Sequence, residues 1–245
     1  MIPKKIHYCW FGGNQLPPLA QKCIESWKKY CPDYEIKEWN EKNFDINCNQ
    51  YVKEAYEAKK YAFVSDYVRL YALYTEGGVY MDTDVEVIKP IDEFLKHQAF
   101  SGFETYNTVP TGIMGAKIQH PFFNLLLEYY RGKSFIKKDG SYDMTTNVET
   151  ITNYCLENGL KTNNTLQNVN GFTLYPKEYF CPKDHSTGKI NIHEDTYTIH
   201  HFAGSWMTKK SKVKNCIIRV LGPSMTPKIV RCKKKIYSIF KGVWG

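Results

Sequence analysis

Between Phe63 and Asp84 the chain changes its repeat, and that change constrains the fold more than any other feature. From Phe63 to Tyr74 the positions Val64, Tyr67, Val68 and Tyr71, continued by Thr75, recur at spacings of three and four, as on one helix face. Gly77 and Gly78 then stop the helix, and Val79-Tyr80-Met81 starts a strand. The strand runs into Asp82-Thr83-Asp84. In an extended backbone, residues two apart face the same way, so Asp82 and Asp84 are expected to converge on one cation while Thr83 points away. Two hard oxygen ligands leave positions open for phosphate oxygens, which is how Mg²⁺ or Mn²⁺ meets a nucleotide diphosphate. Asp66 and Arg69 share the helix edge opposite the packing stripe. As a surface carboxylate, Asp66 is expected to contribute little to stability.

The rest of the chain reads as alternating elements. Strands are expected at 6–11, 34–39, 79–82, 85–88, 100–104 and 112–116, and helices at 19–30, 50–60, 61–76, 121–130 and 145–158, with short strands and turns over 170–201. Such alternation implies an α/β fold with a mainly parallel sheet covered on both faces. Ligands of these sheets bind at the carboxyl ends of strands, where Asp82 and Asp84 fall.

The 245 residues suit one such domain. Eight cysteines form no CxxC pair and no zinc-like cluster, and no secretory signal opens the chain, so reduced thiols in a cytoplasm are expected. Charge is uneven. Thr196 to Gly245 holds eleven basic side chains and no acidic one; with the whole chain at +8, the remainder stands at −3. Within that tail Ile229, Cys232, Ile236, Ile239, Phe240 and Val243 fall on one helical face, a basic amphipathic pattern suited to an anionic membrane surface or to packing on the domain. No nucleic-acid module accompanies the charge, so nucleic acid is not expected as a partner.

Three segments carry a resemblance. The run from Ala62 to Val87, the opening Ile2-Pro3-Lys4-Lys5-Ile6-His7-Tyr8-Cys9-Trp10-Phe11-Gly12-Gly13 and the later His200-His201-Phe202-Ala203-Gly204-Ser205-Trp206 resemble glycosyltransferase family 32. Related motifs occur in large clostridial glucosylating toxins and yeast-type mannosyltransferases. The resemblance implies a GT-A fold, a Rossmann-like nucleotide-sugar-binding architecture, over residues 1–206, with a basic helical tail over 207–245. It implies a metal at Asp82 and Asp84 with His201 as a ligand, and Ser205 as an oxygen contact. Trp206 would donate its indole N–H to the diphosphate. Asp66 and Arg69 would hold donor-sugar hydroxyls with Tyr80, Trp10 would stack on the base, and Thr83 would join the substrate-binding set. His7 is placed there too, although a histidine in a buried strand is often a satisfied core residue.

The expected activity is metal-dependent, retaining transfer of a hexose from a nucleotide diphosphate sugar, UDP-linked by preference, to a glycan. The tail and compact size favour a lipid-linked acceptor in surface or capsular polysaccharide synthesis, at the inner face of the cell membrane. A toxin-like transferase acting on protein and a catalytically silent glycan-binding protein are the alternatives. A silent protein would tolerate loss of the metal carboxylates, and both are intact.

Overall fold

The computed structural model describes residues 1–109, 112–184 and 187–204. The chain runs β1 (Lys5–Cys9), α1 (Pro18–Tyr30), β2 (Glu35–Trp39), α2 (Gln50–Glu57), α3 (Tyr61–Glu76), β3 (Gly78–Met81) and β4 (Val85–Val87). After a 3-10 turn at Asp92–Lys96 come β5 (Ala99–Gly102), β6 (Ile113–Ala116), α4 (Pro121–Glu128), α5 (Asn147–Glu157), β7 (Gln167–Val169), β8 (Phe172–Tyr175), α6 (Lys177–Phe180) and β9 (Thr198–His200). Local chemistry sets several of these boundaries. α1 and α4 start on prolines, whose missing N–H costs nothing in the first turn. The Gly77 amide closes α3 on the Leu73 carbonyl at 3.1 Å, and Thr146 caps α5 by accepting from the Glu149 amide.

Seven strands form one sheet in the order β2-β1-β3-β6-β5-β8-β7. The pairings β1–β2, β1–β3 and β5–β8 are parallel, whereas β6 runs against both β3 and β5, and β7 against β8. Strands β1, β2, β3, β5 and β8 therefore point one way, and the sheet is mainly parallel, as expected for the GT-A class. From β1 the chain passes to β2 on one side and then crosses to β3 on the other. The strand order thus reverses between β1 and β3, and in such sheets the crevice that takes ligands lies there, at the carboxyl ends of the two strands. A separate antiparallel pair joins β4 to β9, with Val85 opposite His200.

Strand alternation divides the core into two apolar layers. In β3, Val79 and Met81 pack with α1, the 3-10 turn and α6, while Tyr80 packs on the other face with α2, α3, α4 and α5. One expectation fails here. Asp66 and Arg69 are not on a solvated edge: they are 8% and 6% exposed, while Thr75, assigned to the packing stripe, is exposed. α3 packs against the sheet and against α2 and α4, so its polar edge is covered by neighbours that its own periodicity cannot register.

The chain divides into two compact units, Met1–Pro182 with Asn191–His201, and Lys183–Ile190 with Phe202–Gly245. The first holds the sheet; in the second, an antiparallel bridge joins Lys183 to Ile190. Ser205, Trp206, the proposed boundary at 206/207 and the basic segment 207–245 lie outside the described residues. Among the described residues no helix is long and apolar enough to cross a membrane.

Candidate active site

β3 delivers its acidic cluster through a turn rather than an extended strand. The strand ends at Met81, and the Val85 amide donates to the Asp82 carbonyl at 2.9 Å, closing Asp82-Thr83-Asp84 into a turn. The Asp82 amide is tied to the Gly112 carbonyl at 2.8 Å. The two carboxylates converge as expected, but by turn closure. Half-buried Thr83 occupies the turn between them.

A histidine completes the cluster, and it is His200. Ligand atoms of Asp82, Asp84 and His200 lie within 4.8 Å of one another, and His200 Nε2 stands 3.3 Å from Asp84 Oδ1. His201 is the residue the resemblance had assigned to the metal. Its backbone amide donates to the Asp84 carbonyl at 2.9 Å, while its ring meets Glu86 at 2.8 Å, and Glu86 also pairs with Lys22 at 3.0 Å. Neighbouring residues at the end of β9 point to opposite faces, which turns the His200 ring toward Asp84 and the His201 ring toward Glu86. Gly112 makes room for it, because a Cβ there would sit 2.9 Å from His200 Nδ1. Burial opposes charge on His200, but hydrogen bonds to Asp84 and Cys181 and the fields of both aspartates outweigh it, so its pKa lies well above the ordinary value.

Arg69 links this cluster to the helix. Its Nη2 lies 3.2 Å from Asp82 Oδ1 and 3.3 Å from Asp66 Oδ1, and its guanidinium sits 4.6 Å from the centre of the Tyr80 ring. Burial works against its charge; Asp82, Tyr80 and Asp66 outweigh that and hold it protonated. The Tyr80 hydroxyl donates to the same Oδ1 of Asp82 at 2.9 Å. Both groups act on Oδ1, so the carboxylate is held in one orientation. On the far side of Asp66, the Asn147 amide donates to Oδ2 at 3.2 Å and its side-chain Nδ2 donates to the Asp66 carbonyl at 2.6 Å. The Tyr130 hydroxyl donates to Asn147 Oδ1 at 2.7 Å. Burial pushes the Asp66 carboxyl up to about 6 despite Arg69 and the Asn147 amide.

His7, assigned to substrate binding by the resemblance, lies inside the fold. Its side chain is fully buried, Nε2 donates to the Gly77 carbonyl at 2.7 Å, and Nδ1 accepts from the Trp39 indole at 3.0 Å. The indole can only donate, so the ring is neutral with its proton on Nε2. Burial lowers its pKa to about 4. Both nitrogens are used inside the fold. Trp10 is half-buried at the carboxyl end of β1, with its indole donating to the Asn14 carbonyl at 2.6 Å.

Residues 17–101 match the family model described as "Glycosyltransferase sugar-binding region containing DXD motif". Over that region the chain is similar to the DXD-containing glycosyltransferases. The matched region takes in Asp66, Arg69, Asp82 and Asp84 and ends before His200. Among curated relatives, the chain is 30% identical over 133 residues to inositol phosphoceramide mannosyltransferase 3 of Schizosaccharomyces pombe, covering 49% of this chain and 35% of that protein. It is 24% identical over 224 residues to uncharacterized glycosyltransferase L373 of Acanthamoeba polyphaga mimivirus, covering 84% of each. The chain thus spans about a third of the yeast relative's length. Among solved structures, a glycosyltransferase involved in glycosylating the major capsid of PBCV-1 aligns over 87% of this chain and 98% of its own, at 13% identity and a TM-score of 0.44.

Proposed function

We propose that the chain is a divalent-cation-dependent, retaining hexosyltransferase that takes its sugar from a nucleotide diphosphate donor and passes it to a glycan. The observation that carries this reading is the convergence of Asp82, Asp84 and His200 at the mouth of the β1/β3 crevice. Two carboxylates and one imidazole within 4.8 Å form a donor set that suits Mn²⁺ or Mg²⁺. When bound, such an ion neutralises charge on a departing diphosphate.

The chain's own groups have separate tasks. Tyr80 and Arg69 fix the Asp82 carboxylate so that it meets ligand without reorganising, which is the form in which electrostatic groups are most effective. Asp66, held by Asn147 and Arg69, presents a preset acceptor to donor-sugar hydroxyls. Trp10 offers an aromatic face for the base, and the turn at Asp82–Asp84 faces the phosphates. UDP-linked hexoses lead the candidate donors, and the yeast relative, a mannosyltransferase by name, adds mannose to the range.

A screen of UDP- and GDP-linked glucose, galactose and mannose with Mn²⁺ tests the donor reading. Release of nucleoside diphosphate from at least one donor, abolished by EDTA and restored by Mn²⁺, is the expected result. Equal turnover by metal-stripped protein contradicts it. The basic segment 207–245 further supports a membrane-bound, lipid-linked acceptor. Its test is co-sedimentation with anionic vesicles at low salt before and after removal of residues 222–245, where loss of binding is expected and equal binding refutes the role.

A further inference from the structure

The turn that leaves β1 is gripped from three directions by side chains that have no role in the account of the cation cluster. Trp10-Phe11-Gly12-Gly13-Asn14 leaves the carboxyl end of β1, the parallel neighbour of β3, whose own carboxyl end runs into the Asp82–Asp84 turn. The Gly12 amide donates to Glu41 Oε1 at 2.5 Å, and the Tyr56 hydroxyl donates to the same oxygen at 3.0 Å. The Tyr61 ring lies directly under Gly12: a Cβ at that position would be 2.4 Å from Tyr61 Cε2, and the backbone there has a φ of +93°, so only glycine fits. The Tyr56 and Tyr61 rings are 5.5 Å apart, and the Trp10 indole closes the turn on Asn14.

Glu41 itself is half-buried. Burial raises its pKa, but the Gly12 amide, its own amide and the Tyr56 hydroxyl more than reverse this, so its carboxyl titrates below the ordinary range. A carboxylate beside a diphosphate site would repel the ligand if its charge faced it. Here Oε1 is engaged by the turn's own amide and a phenol, which converts the charge into a fixed backbone geometry.

We propose that Glu41 is a positioning residue for the nucleotide: by anchoring Gly12 it sets the turn that presents Trp10 to the base of a nucleoside diphosphate. The proposal rests on the nucleotide-donor reading above and adds to it the group that organises the base side. Tyr61 opens α3, and Asp66 and Arg69 follow on the same helix. The helix that carries Asp66 and Arg69 therefore also supports the turn through Tyr61, while Glu41, from the connection after β2, and Tyr56 of α2 fasten it from the other side.

The test is binding of UDP and of GDP, each with Mn²⁺, to the parent, Glu41→Ala and Glu41→Gln, with thermal melts run in parallel. Glu41→Ala should weaken binding about tenfold, equivalent to about 1.4 kcal/mol, with little change in melting temperature. Glu41→Gln should recover most of the loss, since its amide oxygen can still accept from the Gly12 amide. In donor hydrolysis the defect should appear mainly in KM, with kcat falling much less. A parent protein that binds neither nucleotide brings down the donor reading and this proposal with it. A parent that binds, with Glu41→Ala binding equally well, overturns the role of Glu41 alone. Equal loss in Glu41→Gln, together with a lowered melting temperature, overturns it in favour of a purely structural role.

Discussion

Replacing Arg69 with methionine is expected to destabilise the protein by about 3–5 kcal/mol at neutral pH, because it leaves two carboxylates without the cation that holds them together. Asp66 and Arg69 are almost entirely buried, and the guanidinium is within 3.3 Å of both Asp66 and Asp82. In a chain of this size the melting temperature should fall on the order of 10 °C. The penalty should also depend on pH. Burial already raises Asp66 to about 6 with Arg69 present. A carboxyl whose folded pKa is raised contributes stability that is present below its unfolded value and is lost as pH rises through the folded one. Removing Arg69 raises the folded value further, so the gap between parent and variant should widen from pH 5 to pH 7. Asp66→Asn abolishes that titration and should narrow the gap. Urea titrations at the two pH values measure both effects; a penalty under about 1 kcal/mol, or one that does not change with pH, would return the pair to the behaviour of a surface ion pair.

Asp84→Asn should lower donor hydrolysis by on the order of 10³-fold while leaving the fold intact. The carboxylate faces the cluster from a turn rather than the core, and asparagine keeps an oxygen that can accept from His200. What it loses is the negative charge that a divalent ion requires, and loss of one preorganised electrostatic group at developing charge costs about 10²–10³ in kcat. A variant within tenfold of the parent would mean that Asp84 does not hold the ion.

The legible part of the fold was local. The switch from helical spacing to Gly77-Gly78 and an apolar strand marks α3 and β3, and Pro121 marks the start of α4. The convergence of Asp82 and Asp84 also followed from sequence, although a turn rather than an extended strand produces it. What sequence reasoning missed depends on distant partners. The resemblance implies His201 at the metal, whereas the ring turned toward Asp84 is that of His200, an outcome of the pairing of β9 with β4, segments more than a hundred residues apart. The burial of Asp66 requires α4 and α5, and His7 is satisfied by Trp39 and Gly77. The start of α5 is legible, since Thr146 with Glu149 three residues later is a capping pattern that puts Asn147 in the first turn; its bonds to Asp66 are not.

Mn²⁺ binding in the presence of UDP or GDP, followed by loss of the free-ion electron paramagnetic resonance signal, distinguishes the two histidines directly. The parent and His201→Ala should bind the ion. His200→Ala and Asp84→Asn should weaken binding by about tenfold or more, since even outer-shell partners of a bound metal are commonly worth that much. Retention of Mn²⁺ by His200→Ala, with loss in His201→Ala, would contradict the assignment of the Asp82–Asp84–His200 cluster as the cation site.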